Sequence, residues 1–173
     1  MLQAEYYVVE RENNNSYPLF SWDQQENEYG LGKPVNFTEP LKFRLGEPIP
    51  SKVKWVDYHK APDPVISLPL ARVLEKLDIY GIQLIPAKVR NPKDPFSELH
   101  DYCLVHVWNR IACLDKTQSV ITTNKAGTLI WGIDKFVFDE QALGKFELQN
   151  RLIFELAEKT SILLMHQSIK DAI

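Results

Sequence analysis

All eleven prolines of the chain lie at or before Pro95, and none follows it. A proline fixes φ and removes a backbone donor, so a proline-dense stretch cannot supply long uninterrupted ladders. The chain therefore divides by texture into an irregular half, 1–95, and a proline-free half, 96–173, that can build continuous sheet. At 173 residues it has the length of one domain, and no linker interrupts it. The expectation is a single domain, 1–173, long enough to bury a core without disulfides or a structural metal.

Local patterns predict an α+β fold, a largely antiparallel or mixed sheet with two or three helices. Glu5 to Val9, Leu41 to Leu45 and Val53 to Val56 read as short strands. Ser67 is an N-cap candidate with Pro69 in the first turn, and Leu70, Val73, Leu74 and Leu77 form an apolar stripe at helical spacing. Arg72, Glu75 and Lys76 face away from that stripe, and Gly81 is expected to end the helix. Ile82 to Val89 reads as a strand that Pro86 pushes to an edge or a bulge. Tyr102 to Trp108 is apolar on both faces, as a covered strand should be. Ser119 to Thr123 and Thr128 to Ile133 flank Asn124-Lys125-Ala126-Gly127, a four-residue hairpin loop. Lys135 to Phe138, Leu152 to Leu156 and Ile162 to Met165 continue as strands, with a helix over Leu152 to Lys159 as the alternative where alternation is weak, and Ser168 to Asp171 opens a final helical turn with Ser168 as cap.

The residue types that carry chemistry are present but not arranged for it. With 45% hydrophobic and 25% charged residues, the chain is excluded from disordered, collagen-like and coiled-coil classes. A net charge of −3 offers no footprint for duplex nucleic acid. Cys103 and Cys113 fit neither a redox pair nor a zinc knuckle and read as core residues in a reducing compartment. His59, His100, His106 and His166 show no ligand spacing, so neither metal nor cofactor is expected. His106 reads as a hydrogen-bonded structural histidine. Asp57, His59 and Asp63 could form an acid/base cluster, the alternative of a small-molecule-binding protein or enzyme, although neighbouring prolines favour an exposed loop. No basic leader, apolar leader or membrane-length apolar run is seen, so a cytoplasmic protein is expected.

Trp108 and Trp131 lie in strand patterns and are expected in the core. Residues 10–29 stand apart: Glu10, Glu12, Asp23, Glu26 and Glu28 oppose Arg11 alone, with Tyr17, Phe20, Trp22 and Tyr29 interleaved. Trp22 there serves equally well as local packing or as a recognition surface. The segment points to a basic partner, met by Trp22, Asp23, Glu26, Glu28 and Tyr29, with Asp57 on the next candidate loop.

One longer pattern runs from Pro64-Val65-Ile66-Ser67 through the Leu70 to Leu77 helix to Tyr80-Gly81-Ile82-Gln83-Leu84-Ile85-Pro86. It continues through Tyr102-Cys103-Leu104-Val105-His106-Val107 and Asn109 to Leu114-Asp115 and Ser119, and again at Leu152 to Leu156 and Ile162 to Met165. This order resembles the bacterial polymorphic-toxin immunity proteins of family eleven. The resemblance implies a non-catalytic antidote whose partner is a cognate toxin domain, with no nucleic acid or membrane partner and a homodimer left open. Many members continue with a glycine and a further strand beyond the position of Ile173. Within the shared pattern Ser67, Pro86, Asp115 and Ser119 are given structural roles: a helix cap, a strand-bending proline and a turn in which short polar side chains bond the backbone.

Overall fold

The computed structural model describes residues 2–25, 32–94 and 96–173. Among them the strands run in chain order β1 (Tyr6–Val8), β2 (Phe20–Trp22), β3 (Leu41–Leu45), β4 (Tyr58–His59), β5 (Val65–Ser67) and β6 (Ile82–Arg90). They continue as β7 (His100–Val107), β8 (Arg110–Ile111), β9 (Val120–Thr123), β10 (Ile130–Lys135), β11 (Ile153–Leu156) and β12 (Lys159–His166). Three short helices accompany them: α1 (Leu68–Glu75), α2 (Glu140–Leu143) and α3 (Gln167–Lys170). The class is α+β with mixed sheets. Two compact units are distinguished, one of Met1–Val9, Ile79–Gly81 and Val107–Ala172, the other of Glu10–Asp78 and Ile82–His106.

The second unit is built on a six-stranded sheet of order β2-β3-β6-β7-β5-β4. Strict alternation explains its inner face. Leu41, Phe43 and Leu45 on β3 and Ile85, Ala87 and Val89 on β6 are buried, while the intervening residues face out. The sheet curls into a half-barrel whose edge strands meet: the Phe20 N–H donates to the Ala61 carbonyl at 3.2 Å, and the Phe20 and His59 rings stack. Curling hides the edges that an open sheet would leave exposed. β3 and β6 are parallel, which requires the long crossover that carries β4, β5 and α1.

The first unit holds a four-stranded sheet, β1-β12-β11-β8, and a two-stranded ribbon of β9 and β10. Its core gathers Tyr6, Ile111, Cys113, Phe138, Leu143 and Phe154, with neighbouring leucines. The Tyr6 ring meets Phe138 and Phe154 edge-on, and its hydroxyl accepts from Arg151 at 2.7 Å. Gly81 has φ +81°, and a Cβ placed there would lie 2.2 Å from that of Asn109. Its carbonyl accepts from the Trp108 and Asn109 amides, so this glycine serves a close chain crossing.

Several sequence expectations are corrected. No strand forms at 53–56; Val53 and Trp55 reach the core from irregular backbone. The Asp57 to Asp63 segment is not an exposed loop, because β4 lies within it and His59 is 1% accessible. α1 ends at Glu75 and buries Ala71 and Leu74, whereas Leu77 lies beyond it and is half-buried. Pro86 neither ends nor edges its strand: β6 runs on to Arg90 between β3 and β7. The β3 ladder starts one residue later, at Leu41 opposite Ala87, so the missing donor removes no rung from it. The 135–138 strand reduces to the end of β10 and a single bridge between Leu114 and Phe138. His166, not Ser168, caps α3, its Nδ1 accepting from the Ser168 amide.

Candidate functional site

β2 pairs with β3 so that Trp22 lies opposite Phe43, and the two rings pack 4.3 Å apart at 32°. The Trp22 Nε1–H donates to Asp63 at 3.1 Å. Trp22 is therefore half-buried, held by packing on one side and by a carboxylate on the other. The next residue, Asp23, turns onto the outer face of the sheet. There Lys42 and Arg44 of β3 stand directly opposite Lys88 and Arg90 of β6. Like charges on strands about 5 Å apart repel. Two acids offset them: Asp23 takes a two-pronged bond from Arg90, with Nη2 to Oδ1 at 2.9 Å, and lies 3.9 Å from Arg44, while Asp101 pairs with Lys88. The Arg90 hydrogen bond holds the Asp23 carboxyl below the usual carboxylate range and raises the guanidinium in turn.

A depression of about 300 Å³ opens beside this pair, with Phe43, Pro40 and the exposed Leu99 as apolar walls and a rim of mixed charge, Lys42, Lys88 and Arg90 beside Asp23 and Glu39. Such a surface suits a protein partner that brings apolar area within a border of mixed charge.

Glu10, Glu12 and Asp23 are engaged within the unit. Glu10 pairs with Lys60 at 2.6 Å, Glu12 accepts from the Tyr17 hydroxyl at 3.2 Å, and Asp23 bonds Arg90. Glu26, Glu28 and Tyr29 lie outside the described residues. The structure thus brings Trp22 and Asp23 to one place but sets Asp57 to another task, accepting a 2.6 Å bond from the Ser67 hydroxyl.

Asp57, His59 and Asp63 each have a different partner. His59 Nδ1 lies 3.1 Å from the Pro18 carbonyl, and its ring is stacked on Phe20 and edge-on to Tyr102. Burial, with Arg11 adding to it, pushes the imidazole pKa down to about 4, so the ring is neutral near pH 7. Asp63 accepts from Trp22 and Asp57 from Ser67. Among the described residues no group of three or more His, Cys, Asp or Glu is placed to hold a metal ion.

The pattern residues occupy local structural positions. Ser67 caps α1, its hydroxyl accepting from the Leu70 amide. Pro86 is exposed on the outer side of β6. Asp115 Oδ1 accepts from the Thr117 amide and hydroxyl and the Gln118 amide, while Oδ2 accepts from the Gln118 side chain. These bonds hold its pKa near 2. Ser119 bridges to Val137, accepting from its amide and donating to its carbonyl. His106, 3% accessible, bonds the Lys33 carbonyl at 2.8 Å through Nε2. Cys103 and Cys113 are buried, which raises both thiols, that of Cys113 to about 12.

Sequence reasoning missed the cation rows and the place of Trp131. Lys42, Arg44, Lys88 and Arg90 were legible as the outer positions of two alternating strands, but nothing local pairs those strands. Trp131 is 65% exposed rather than in the core. The available signal was Gly132, since a glycine inside a strand pattern marks a bulge.

The sequence model of the immunity protein family (Imm11) matches residues 4–173. No curated protein matches the chain.

Proposed function

The chain belongs to the Imm11 immunity protein family, and from that premise we propose that it neutralises a cognate bacterial toxin by direct protein–protein binding, without catalysis, in the cytoplasm of the producing cell. The carrying observation is the extent of the match, which takes in nearly the whole chain. The separate engagement of Asp57, His59 and Asp63 supports a binding role over a catalytic one.

The toxin contact is proposed at Trp22, Asp23, Glu26, Glu28, Tyr29 and Asp57. Around Trp22 the described charges are mixed and largely matched, Asp23 with Arg90, Asp101 with Lys88 and Asp63 with the indole N–H. In this reading Trp22 anchors the toxin surface, and Glu26 and Glu28 take its basic groups. Surface charge chiefly sets the encounter rate and its salt dependence, and a desolvated aromatic sets the lifetime of the complex.

Co-expression with the toxin domain encoded by the neighbouring reading frame tests the reading. The chain should rescue growth and co-purify with that domain, and Glu26→Lys with Glu28→Lys should slow association most at low salt. Rescue without a complex, or turnover of a toxin product by the purified chain, would refute neutralisation by binding.

A further inference from the structure

β9 and β10 form a ribbon whose register slips twice. Ile130 lies opposite Thr123 and Gly132 opposite Thr122, so two steps on β10 match one on β9 and Trp131 is the inserted residue. A second slip inserts Asp134 between Ile133 and Lys135. Ile130 and Ile133 are an odd number apart and would point to opposite faces of a regular strand. The insertion lets both pack, with Ile121, against the core of the first unit.

Core packing explains the bulge but not its occupant. Any residue could be inserted there, and the chain inserts tryptophan, 65% exposed. Leu129 at 61% and Val120 at 52% are exposed on the same ribbon. Gly132, opposite the exposed Thr122, adds no side chain beside the indole. The backbone under it is pinned, because Lys159 Nζ donates to the carbonyls of Trp131 at 3.0 Å and Ile130 at 3.3 Å. An exposed aromatic on a fixed backbone is pre-organised for binding, since little conformational freedom is left to lose.

Charge identifies the kind of partner. Between 115 and 135 the chain carries Lys116, Lys125 and Lys135 against Asp115 and Asp134, an excess of positive charge although its net charge is −3. Lys159 adds a fourth ammonium at the ribbon. We propose that the Trp131 face of the β9–β10 ribbon docks an acidic-rimmed, apolar-centred patch on a protein, the toxin of the preceding reading, on which this inference rests. One indole and two aliphatic side chains, with Lys135 opposite Val120 and Lys159 under the Trp131 backbone, have the anatomy of a protein interface, an apolar centre with charge at its border. A nucleic-acid strand would call instead for successive aromatics and arginine.

The full-length chain and the purified toxin domain of the neighbouring reading frame are compared by binding kinetics. Trp131→Ala should weaken the complex roughly thirtyfold or more, mainly by faster dissociation, with an unchanged melting temperature. Leu129→Asp should weaken it independently, and Lys125→Glu with Lys135→Glu should slow association and flatten its salt dependence. If the parent chain binds and both Trp131→Ala and Leu129→Asp bind as tightly, the ribbon is not the contact and the inference is overturned, while neutralisation stands. If the parent does not bind, the toxin reading falls and this inference with it. Two other results overturn it alone: a homodimer that Trp131→Ala dissolves without affecting toxin binding, or single-stranded RNA held by the parent and released by the same change.

Discussion

The imidazole of His59 lies face to face with Phe20, ring centroids 4.0 Å apart and planes 24° apart, where the two edges of the half-barrel meet. A charged ring would be costly there, because it is buried and Arg11 adds repulsion. The folded chain therefore resists protonation that the unfolded chain accepts.

The consequence for stability has a definite sign. The folded pKa, about 4, lies below the ordinary 6.5, so the His59 contribution is complete above pH 6.5 and is lost as pH falls towards 4. At about 1.4 kcal/mol per pH unit the loss amounts to about 3 kcal/mol. Urea unfolding of the parent and of His59→Phe at pH 7.5 and pH 4 should show the parent losing about that much more. Equal losses would mean that His59 is not held neutral.

Leu74 is 4% accessible on α1, and Arg72 is exposed on its other side. Leu74→Ala should cost about 2–5 kcal/mol, whereas Arg72→Ala should lie within about 0.5 kcal/mol of the parent. Leu77→Ala should cost less than Leu74→Ala, because Leu77 is half-buried past the helix end. Denaturant midpoints check the order, and a more damaging Leu77→Ala would reverse the assigned core.

Gly81 and Gly127 both have positive φ, +81° and +69°, but only Gly81 is enclosed. Gly127→Ala should cost about 1 kcal/mol, the strain of the left-handed backbone alone. At Gly81 the new methyl would collide with Asn109, so Gly81→Ala should be far more damaging and greatly reduce the yield of folded protein. Comparable melting temperatures for the two variants would contradict the close crossing.

Asp23 neutralises the cross-strand Arg44 and Arg90. Asp23→Asn should lower the melting temperature in dilute buffer, and added salt should shrink the deficit as it screens the two guanidiniums. A deficit that salt leaves unchanged would assign Asp23 a packing role instead.

Sequence by itself determined those features in which neighbours along the chain decide the outcome. The alternation at Leu41, Phe43 and Leu45, the Ser67 cap of α1, the Asn124 to Gly127 turn and the self-bonded Asp115 turn are all of this kind. Each depends on side-chain spacing or on bonds spanning a few residues, which periodicity and cap chemistry report directly. Tertiary structure alone decided the burial of His59, the central position of Pro86, the joining of Asp23 to Arg90 across 67 residues and the outward turn of Trp131. The physical reason is common to all four. Strand order and register are set by which distant apolar faces close together, and a one-residue slip reverses the side that a residue faces. Local sequence therefore gave Trp131 a strand, but only the bulge opposite Thr122 and Thr123 gave it an outward face.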